Sequence, residues 1–273
     1  MFKAVGSEGA TIIVMRTPPG GQTVRMRASM NIIPVIDLKA GLVVRGVAGR
    51  REEYRPIVSQ LVSEPSPRAV ARALVQRFNF RQVYIADLDA IAGQLPNLRA
   101  YQDILACGLT PWIDAGVATV EAAQSLLDLG KIIVGLESLR CLAALPRIVD
   151  ACSAERVVFS LDLKGGRPIT SIVSWHDASP DEIAVKVMDI GIRRLIVLDL
   201  ADVGVGQGTG TLGLVERLHA RHPQVEITAG GGVRGIDDLR HLATAGCASA
   251  LVASALHDGR LTPEEVRWLQ QGE

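Results

Sequence analysis

Two short segments carry the residue types that proton-transfer chemistry needs. Pro34-Val-Ile-Asp37-Leu-Lys39-Ala-Gly41 matches Phe159-Ser-Leu-Asp162-Leu-Lys164-Gly-Gly166, with the two aspartates 125 positions apart (37 against 162). A carboxylate can take a proton from one side of a substrate while a carboxylic acid gives one from the other. A lysine at i+2 from each aspartate shares its side of an extended chain, where it could neutralise the carboxylate or act as a nucleophile. A third segment reads Gly230-Gly231-Gly232 before a helix, followed later by Ala253-Ser254-Ala255. Consecutive glycines let backbone N–H groups close on phosphate oxygens, and a helix start adds a favourable dipole.

These residues have to be positioned by the elements around them. Eight apolar runs read as strands: Asn31–Asp37, Gln82–Asp87, Thr110–Asp114, Lys131–Val134, Arg156–Asp162, Arg194–Asp199, Glu226–Ala229 and Ala250–Ala253. They do not alternate cleanly with polar residues, as expected of a parallel sheet buried on both faces. Between them lie helical runs with capping signals. Ser66-Pro67 opens 68–78, Thr119 opens 120–129, Ser179-Pro180 opens 181–190, and Gly235 precedes 236–245. Eight β–α alternations predict an α/β chain folded as a single (β/α)8 TIM barrel over residues 30–273. Residues 1–29 lack periodicity and read as an N-terminal extension outside the barrel. The barrel reads as a half-barrel duplication. Ile85-Ala-Asp87 with Gly93-Gln94 echoes Val197-Leu-Asp199 with Gly206-Gln207, and Ala115-Gly116-Val117 echoes Gly231-Gly232-Val233. Strand one is then the equivalent of strand five, diametrically opposite it. Asp37 and Asp162 face each other at the C-terminal mouth, where such barrels do chemistry, and the glycine turn after strand seven sits at the usual phosphate position.

Composition narrows the function classes. The chain has 273 residues, 48% apolar and 21% charged, with 29 basic and 29 acidic side chains. A balanced charge argues against nucleic acid or an anionic membrane surface as partner. No apolar run reaches the roughly 20 residues that span a bilayer. The four cysteines (107, 141, 152 and 247) form no C-x-x-C pair and read as reduced thiols, so a cytoplasmic location is expected. No cysteine–histidine spacing calls for a metal. Nothing in the sequence sets the oligomeric state.

Across residues 31–261 the sequence resembles the ProFAR isomerase and imidazole glycerol phosphate synthase cyclase family of histidine biosynthesis. The resemblance is carried by Ile33-Pro34-Val-Ile-Asp37-Leu, Val44-Arg45, Ala86-Asp87-Leu88, Ser160-Leu-Asp162, Ser174-Trp175, Ala229-Gly-Gly-Gly-Val233 with Ile236-Asp237-Asp238, and Leu256 with Gly259. It implies an Amadori-type aldose-to-ketose rearrangement with Asp37 and Asp162 as the acid–base pair, no cofactor, a phosphorylated small-molecule substrate, and Trp175 stacked on it or packed at the rim. Departures from the family pattern are specific. The first phosphate turn reads Asp114-Ala115-Gly116, strand six ends Leu198-Asp199 without a threonine, and the Arg-Asp-Gly-Thr run is absent. This resembles a ProFAR-isomerase-related branch seen in some methanogens and C1-metabolising bacteria.

The leading expectation is therefore a cofactor-independent isomerase on a metabolite with one phosphate, held by Gly230, Gly231, Gly232 and Ser254. Asp87, Asp114 and Asp199 would be further substrate-binding groups, with Asp114 and the loop Gly135-Leu-Glu137-Ser138 favouring hydroxyls or an amine over a second phosphate. The long segment after strand one carries Arg50, Arg51 and Arg55 and reads as a lid over an anionic substrate or as a solvated charge run. Two other functions stay open. A lyase or aldolase would use Lys39 or Lys164, because Asp162-Leu-Lys164 is similar to the Asp-x-Lys of ribulose-phosphate-binding barrels. An inactive phosphometabolite-binding barrel, in C1 metabolism of the methanopterin or methanofuran type, would keep the pocket without the chemistry.

Overall fold

A computed structural model describes residues 29–206 and 208–271. The expected N-terminal extension lies, apart from Ser29, outside the described residues. Eight parallel strands close into one barrel: β1 (Asn31–Lys39), β2 (Gln82–Asp87), β3 (Thr110–Asp114), β4 (Lys131–Gly135), β5 (Val157–Lys164), β6 (Arg194–Asp199), β7 (Glu226–Gly230) and β8 (Ser249–Val252). Each pairs with its neighbours in chain order, and β8 closes on β1 through Asn31–Ser249 to Pro34–Val252. The strands are buried on both faces, as in β5, where seven of eight residues are buried. That is why their sequences read as continuous apolar runs rather than alternating ones.

The helices α1 (Pro67–Phe78), α2 (Leu98–Leu105), α3 (Val120–Gln124), α4 (Ala144–Cys152), α5 (Pro180–Asp189), α6 (Leu212–Arg221), α7 (Ile236–Thr244) and α8 (Pro263–Gln271) form the outer layer. Ser66, Thr119 and Ser179 accept from the backbone N–H groups of Ala69, Ala122 and Glu182, so each expected cap satisfies an orphan donor. Ser179 and Glu182 complete a reciprocal capping box. The run after Thr119 is shorter than its pattern suggests. The helix ends at Gln124 and gives way to successive turns through Leu129, with Leu126 N–H bonded to Ala123 O.

The duplication is visible in the backbone. β1 and β5 both overrun the barrel and fold back as antiparallel hairpins, Leu38 pairing Val43 and Leu163 pairing Pro168. Both turns have two residues at positive φ: Ala40 (50°) with Gly41 (77°), and Gly165 (60°) with Gly166 (76°). Those angles match the tight two-residue hairpin turn. Inside the barrel, Ile33, Tyr84, Trp112, Ile133, Val158, Ile196 and Leu251 fill the lumen. The floor is thus packed, and the lumen opens at the C-terminal mouth.

Candidate active site

Period-two alternation aims one residue set inward. On β1 it is Ile33, Val35 and Asp37; on β2, Tyr84 and Ala86; on β3, Trp112 and Asp114; on β5, Val158, Ser160 and Asp162. Ile33, Trp112 and Val158 belong to the packed floor. Above it Val35, Asp37, Tyr84, Ala86, Asp114 and Asp162 line a cavity of about 820 Å³, counting its opening to solvent, together with Leu88, Ile91, Glu137, Leu198, Leu251 and Ser254. Asp37 and Asp162 enter it from opposite strands.

The carboxyls differ in their partners. Asp162, 3% exposed, accepts from Ser160 Oγ at 2.6 Å and from Glu137 N at 3.3 Å. Burial, then the neighbouring charges of Asp114 and Glu137, hold its pKa well above the usual carboxylate range. Asp37 accepts no hydrogen bond among the described residues. Burial pushes it up to about 7, against the pull of the Arg51 guanidinium. Asp114, 5% exposed, accepts from Tyr84 Oη at 2.9 Å and Gly116 N at 3.3 Å. Burial and the Glu137 charge lift it to about 6. Three carboxyls in one cavity, each raised above the usual carboxylate range, suit the arrangement to acid–base work.

The segment after β1 closes over this mouth. A single 3-10 turn, Arg51–Glu53, sends the Arg51 side chain across the barrel to an ion pair with Glu137 after β4. Lys39 Nζ donates to Arg51 O at 2.5 Å, and Ala48 N to Val203 O at 2.7 Å in the segment after β6. Gly204 has a positive φ, and a Cβ there would collide with the Gly46 carbonyl. Glycine is what lets the two loops meet. Tyr54, buried beneath, lines the cavity; burial and the Asp37 charge raise its phenol to about 12. Arg50 faces outward and pairs with Glu53 at 2.7 Å. Of the two arginines expected at the substrate, only Arg51 lines the cavity.

On the other side, Gly230 ends β7, and Gly231 (φ 91°) and Gly232 (φ 75°) turn the chain into the cavity wall. A Cβ on Gly232 would run into the Gly208 carbonyl. Beside them Ser254 begins a short helical turn, Ser254–His257. Among the described residues, the N–H groups of Gly232, Val233, Ser254 and Ala255 donate to no protein acceptor. Arg260 Nη2 donates to Ser254 Oγ at 3.0 Å, which leaves the hydroxyl proton free to donate elsewhere. Unspent N–H groups, a hydroxyl and a guanidinium in one place make an anion-binding surface.

Several expected site residues lie elsewhere. The barrel ladder of β1 ends at Leu38 opposite Asp87, and that of β5 at Leu163 opposite Asp199. Lys39 and Lys164 therefore stand on the hairpin overruns, paired with Leu42 and Arg167, and neither lines the cavity. Their i+2 parity with the aspartates is lost where the strands leave the barrel. A Schiff-base route thus has no lysine lining the cavity among the described residues. Asp87 accepts from Ala90 N, Asn97 N and Tyr101 Oη at 2.5 Å, and so anchors the chain between β2 and α2. Asp199 accepts from Gly165 N, Gly166 N and Ala201 N and pins the second hairpin turn. Neither lines the cavity that holds Asp37 and Asp162; Asp199 borders a separate one with Gly165, Gly166 and Asp202. Trp175 is 1% exposed in the outer hydrophobic core, which is the packing alternative and not stacking in the cavity. Tyr54 and Tyr84 were not singled out from the sequence. Only the inward parity of Tyr84 with Ala86 on strand two could have marked one of them.

The model of the family described as "Histidine biosynthesis protein" matches residues 31–262. An uncharacterised protein of Methanocaldococcus jannaschii is 32% identical over 241 residues, 87% of this chain and 97% of its own. A 1-(5-phosphoribosyl)-5-((5-phosphoribosylamino)methylideneamino)imidazole-4-carboxamide isomerase of Methanosarcina barkeri is 30% identical, covering 85% and 95%. The isomerase of the same name from Chlorobium phaeobacteroides is 28% identical, covering 87% and 91%. Among the described residues no helix is long and apolar enough to cross a membrane.

Proposed function

The chain belongs to the histidine biosynthesis protein family, and from that premise we propose that it is a cofactor-independent isomerase of a phosphorylated, sugar-containing metabolite. The reaction is an Amadori-type aldose-to-ketose rearrangement outside histidine biosynthesis proper. One observation carries the reading: Asp37 and Asp162 enter a single cavity from opposite strands, Asp37 pushed by burial up to about 7 and Asp162 held by burial well above the usual carboxylate range. Asp162 gives its proton to the ring oxygen as the C1–O bond breaks, and the substrate nitrogen on C1 forms C=N with its lone pair. Asp37, poised near 7, removes the proton from the second carbon of the opened chain, which gives an enaminol. The enaminol takes that proton back at C1 from Asp37 and passes its C2 hydroxyl proton to Asp162, so both carboxyls end as they began and nothing is oxidised.

The phosphate lies at Gly231, Gly232 and Ser254, where N–H groups and the Arg260-oriented hydroxyl are unspent. The isomerase relatives are named for a compound with two phosphoribosyl groups. In this chain the first-half turn presents Asp114, with Glu137 beside it, so a second phosphate is opposed there and a substrate with one phosphate is favoured. The setting in C1 metabolism is part of the proposal and is carried by resemblance alone. The test is a screen of phosphorylated aminoaldoses for ketose formation, followed by Asp37→Asn and Asp162→Asn. Each variant should lose turnover by about a thousandfold or more while staying folded. Near-wild-type turnover by either one would refute the assignment.

A further inference from the structure

The end of the cavity away from the glycine turn has more acceptors than the protein's own donors can serve. We infer that this end receives a positively charged nitrogen of the substrate, an ammonium or amidinium, and that Asp114 is the residue that selects it. The inference rests on the one-phosphate reading above and deepens it, making the substrate an anion at Gly231–Gly232 and a cation at Asp114.

An ionised carboxylate offers about four lone-pair sites. Asp114 is served by Tyr84 Oη at 2.9 Å and Gly116 N at 3.3 Å. Asp162 is served by Ser160 Oγ at 2.6 Å and Glu137 N at 3.3 Å, and Asp37 by no described residue. Among the described residues that line the cavity, Arg51 is the only cationic side chain, and its guanidinium is committed to Glu137. Tyr84 has one proton, already given to Asp114. The Tyr54 hydroxyl and the other Arg51 N–H groups are the remaining side-chain donors here, fewer than the open lone pairs of Asp37, Asp114, Glu137 and Asp162, so a ligand that brings donors is favoured at this end.

Ligand chemistries differ in what they supply. A phosphate or carboxylate brings acceptors and like charge, which adds to the deficit. A hydroxyl brings one donor with two acceptor sites. An ammonium brings three donors and the opposite charge. A metal ion would need ligands converging on one point, and no three His, Cys, Asp or Glu among the described residues are grouped to hold one. Asp37 and Asp114 stand on strands either side of Ala86, and Ala86, Leu88 and Ile91 line the same cavity and can receive a carbon skeleton. That spacing fits an organic cation.

The experiment uses the full chain and calorimetric titration with matched probes: 3-aminopropyl and 5-aminopentyl phosphate, their hydroxyalkyl counterparts, inorganic phosphate, and n-butylamine against 1-butanol. At least one amino phosphate should bind about tenfold more tightly than its hydroxyl twin, the scale of one charge-assisted hydrogen bond. Asp114→Asn should abolish that preference and leave inorganic phosphate affinity unchanged. No preference at either length, or a preference that survives Asp114→Asn, overturns the inference. If inorganic phosphate fails to bind, the one-phosphate reading falls, and butylamine decides separately. Butylamine binding over butanol that depends on Asp114 sustains the cationic end, and its absence removes it. Should Asp114→Asn not fold, Glu137→Gln frees Arg51 to neutralise Asp114 and should lower the preference several-fold. An unchanged preference in that variant also overturns the inference.

Discussion

Replacing Asp37 by asparagine should stabilise the protein, and only at high pH. Below about pH 3 the carboxyl is protonated in both the folded and unfolded chains, so it contributes almost nothing. As pH rises, the unfolded chain ionises at its ordinary 3.8 while the folded one holds its proton to about 7. The folded state is progressively destabilised across that window, and above 7 the full penalty applies. A lift from 3.8 to about 7 corresponds to about 4 kcal/mol. Asp37 is only partly buried at the mouth, and screening by solvent reduces this to about 2 kcal/mol. Asparagine has no charge to bury, so Asp37→Asn should gain about 2 kcal/mol at about pH 8 and almost nothing at about pH 3. In Tm that is roughly 4–8 °C for a barrel of this size. Scanning calorimetry of both proteins at the two pH values, at matched scan rate, is the assay. An equal gain at both pH values, or none at pH 8, would refute the claim that a desolvated charge is stored at this position.

Other outcomes follow from the same geometry. Phosphate or sulfate soaked into crystals should appear at Gly231–Gly232 and Ser254 and not at Ala115–Gly116. Two anions related by the half-barrel symmetry would restore a bisphosphorylated substrate. Protease cleavage within residues 49–56 should slow when phosphate-bearing ligand is added, because Arg51 and Lys39 hold that segment over the mouth; equal rates with and without ligand count against a lid. Gly232→Ala should destabilise the fold by at least about 1–2 kcal/mol for the left-handed backbone, besides its collision with Gly208, and should weaken phosphate binding. Wild-type phosphate affinity in a folded Gly232→Ala protein would remove that turn from the site.

The barrel was legible because its signals are local and repeated. Eight apolar runs, serine and threonine caps, and glycine stops each have a short-range physical cause, and the Asp-Leu-Lys echo related opposite strands without any knowledge of contacts. What was not legible depends on where a strand stops belonging to the sheet. Parity aims Lys39 at the lumen only if β1 stays in the barrel, and the hairpin overrun removes it. Asp87 and Asp199 look like site carboxylates until their backbone donors are seen, and such donors leave no mark in the sequence. Arg50 and Arg51 are adjacent and chemically equal, so a single turn of backbone decides which one reaches Glu137. Composition could not have revealed that Asp114 is met by the hydroxyl of Tyr84, a residue that a pattern assigns to the core.

The closure of β1 on β8 has a consequence for how the chain is made. The first barrel strand leaves the ribosome before the other seven, yet its second barrel partner, Ser249–Val252, is the last barrel strand to emerge. Through most of synthesis one flank of Asn31–Pro34 is a bare row of peptide groups, the kind of edge that recruits other strands. The duplication sharpens the hazard, because β5 offers the same Asp-Leu-Lys end and the same hairpin to a nascent first half. Late sealing of this kind makes refolding slow and dependent on β8. Chains stopped before Ser249 should accumulate as aggregates rather than as half-barrels.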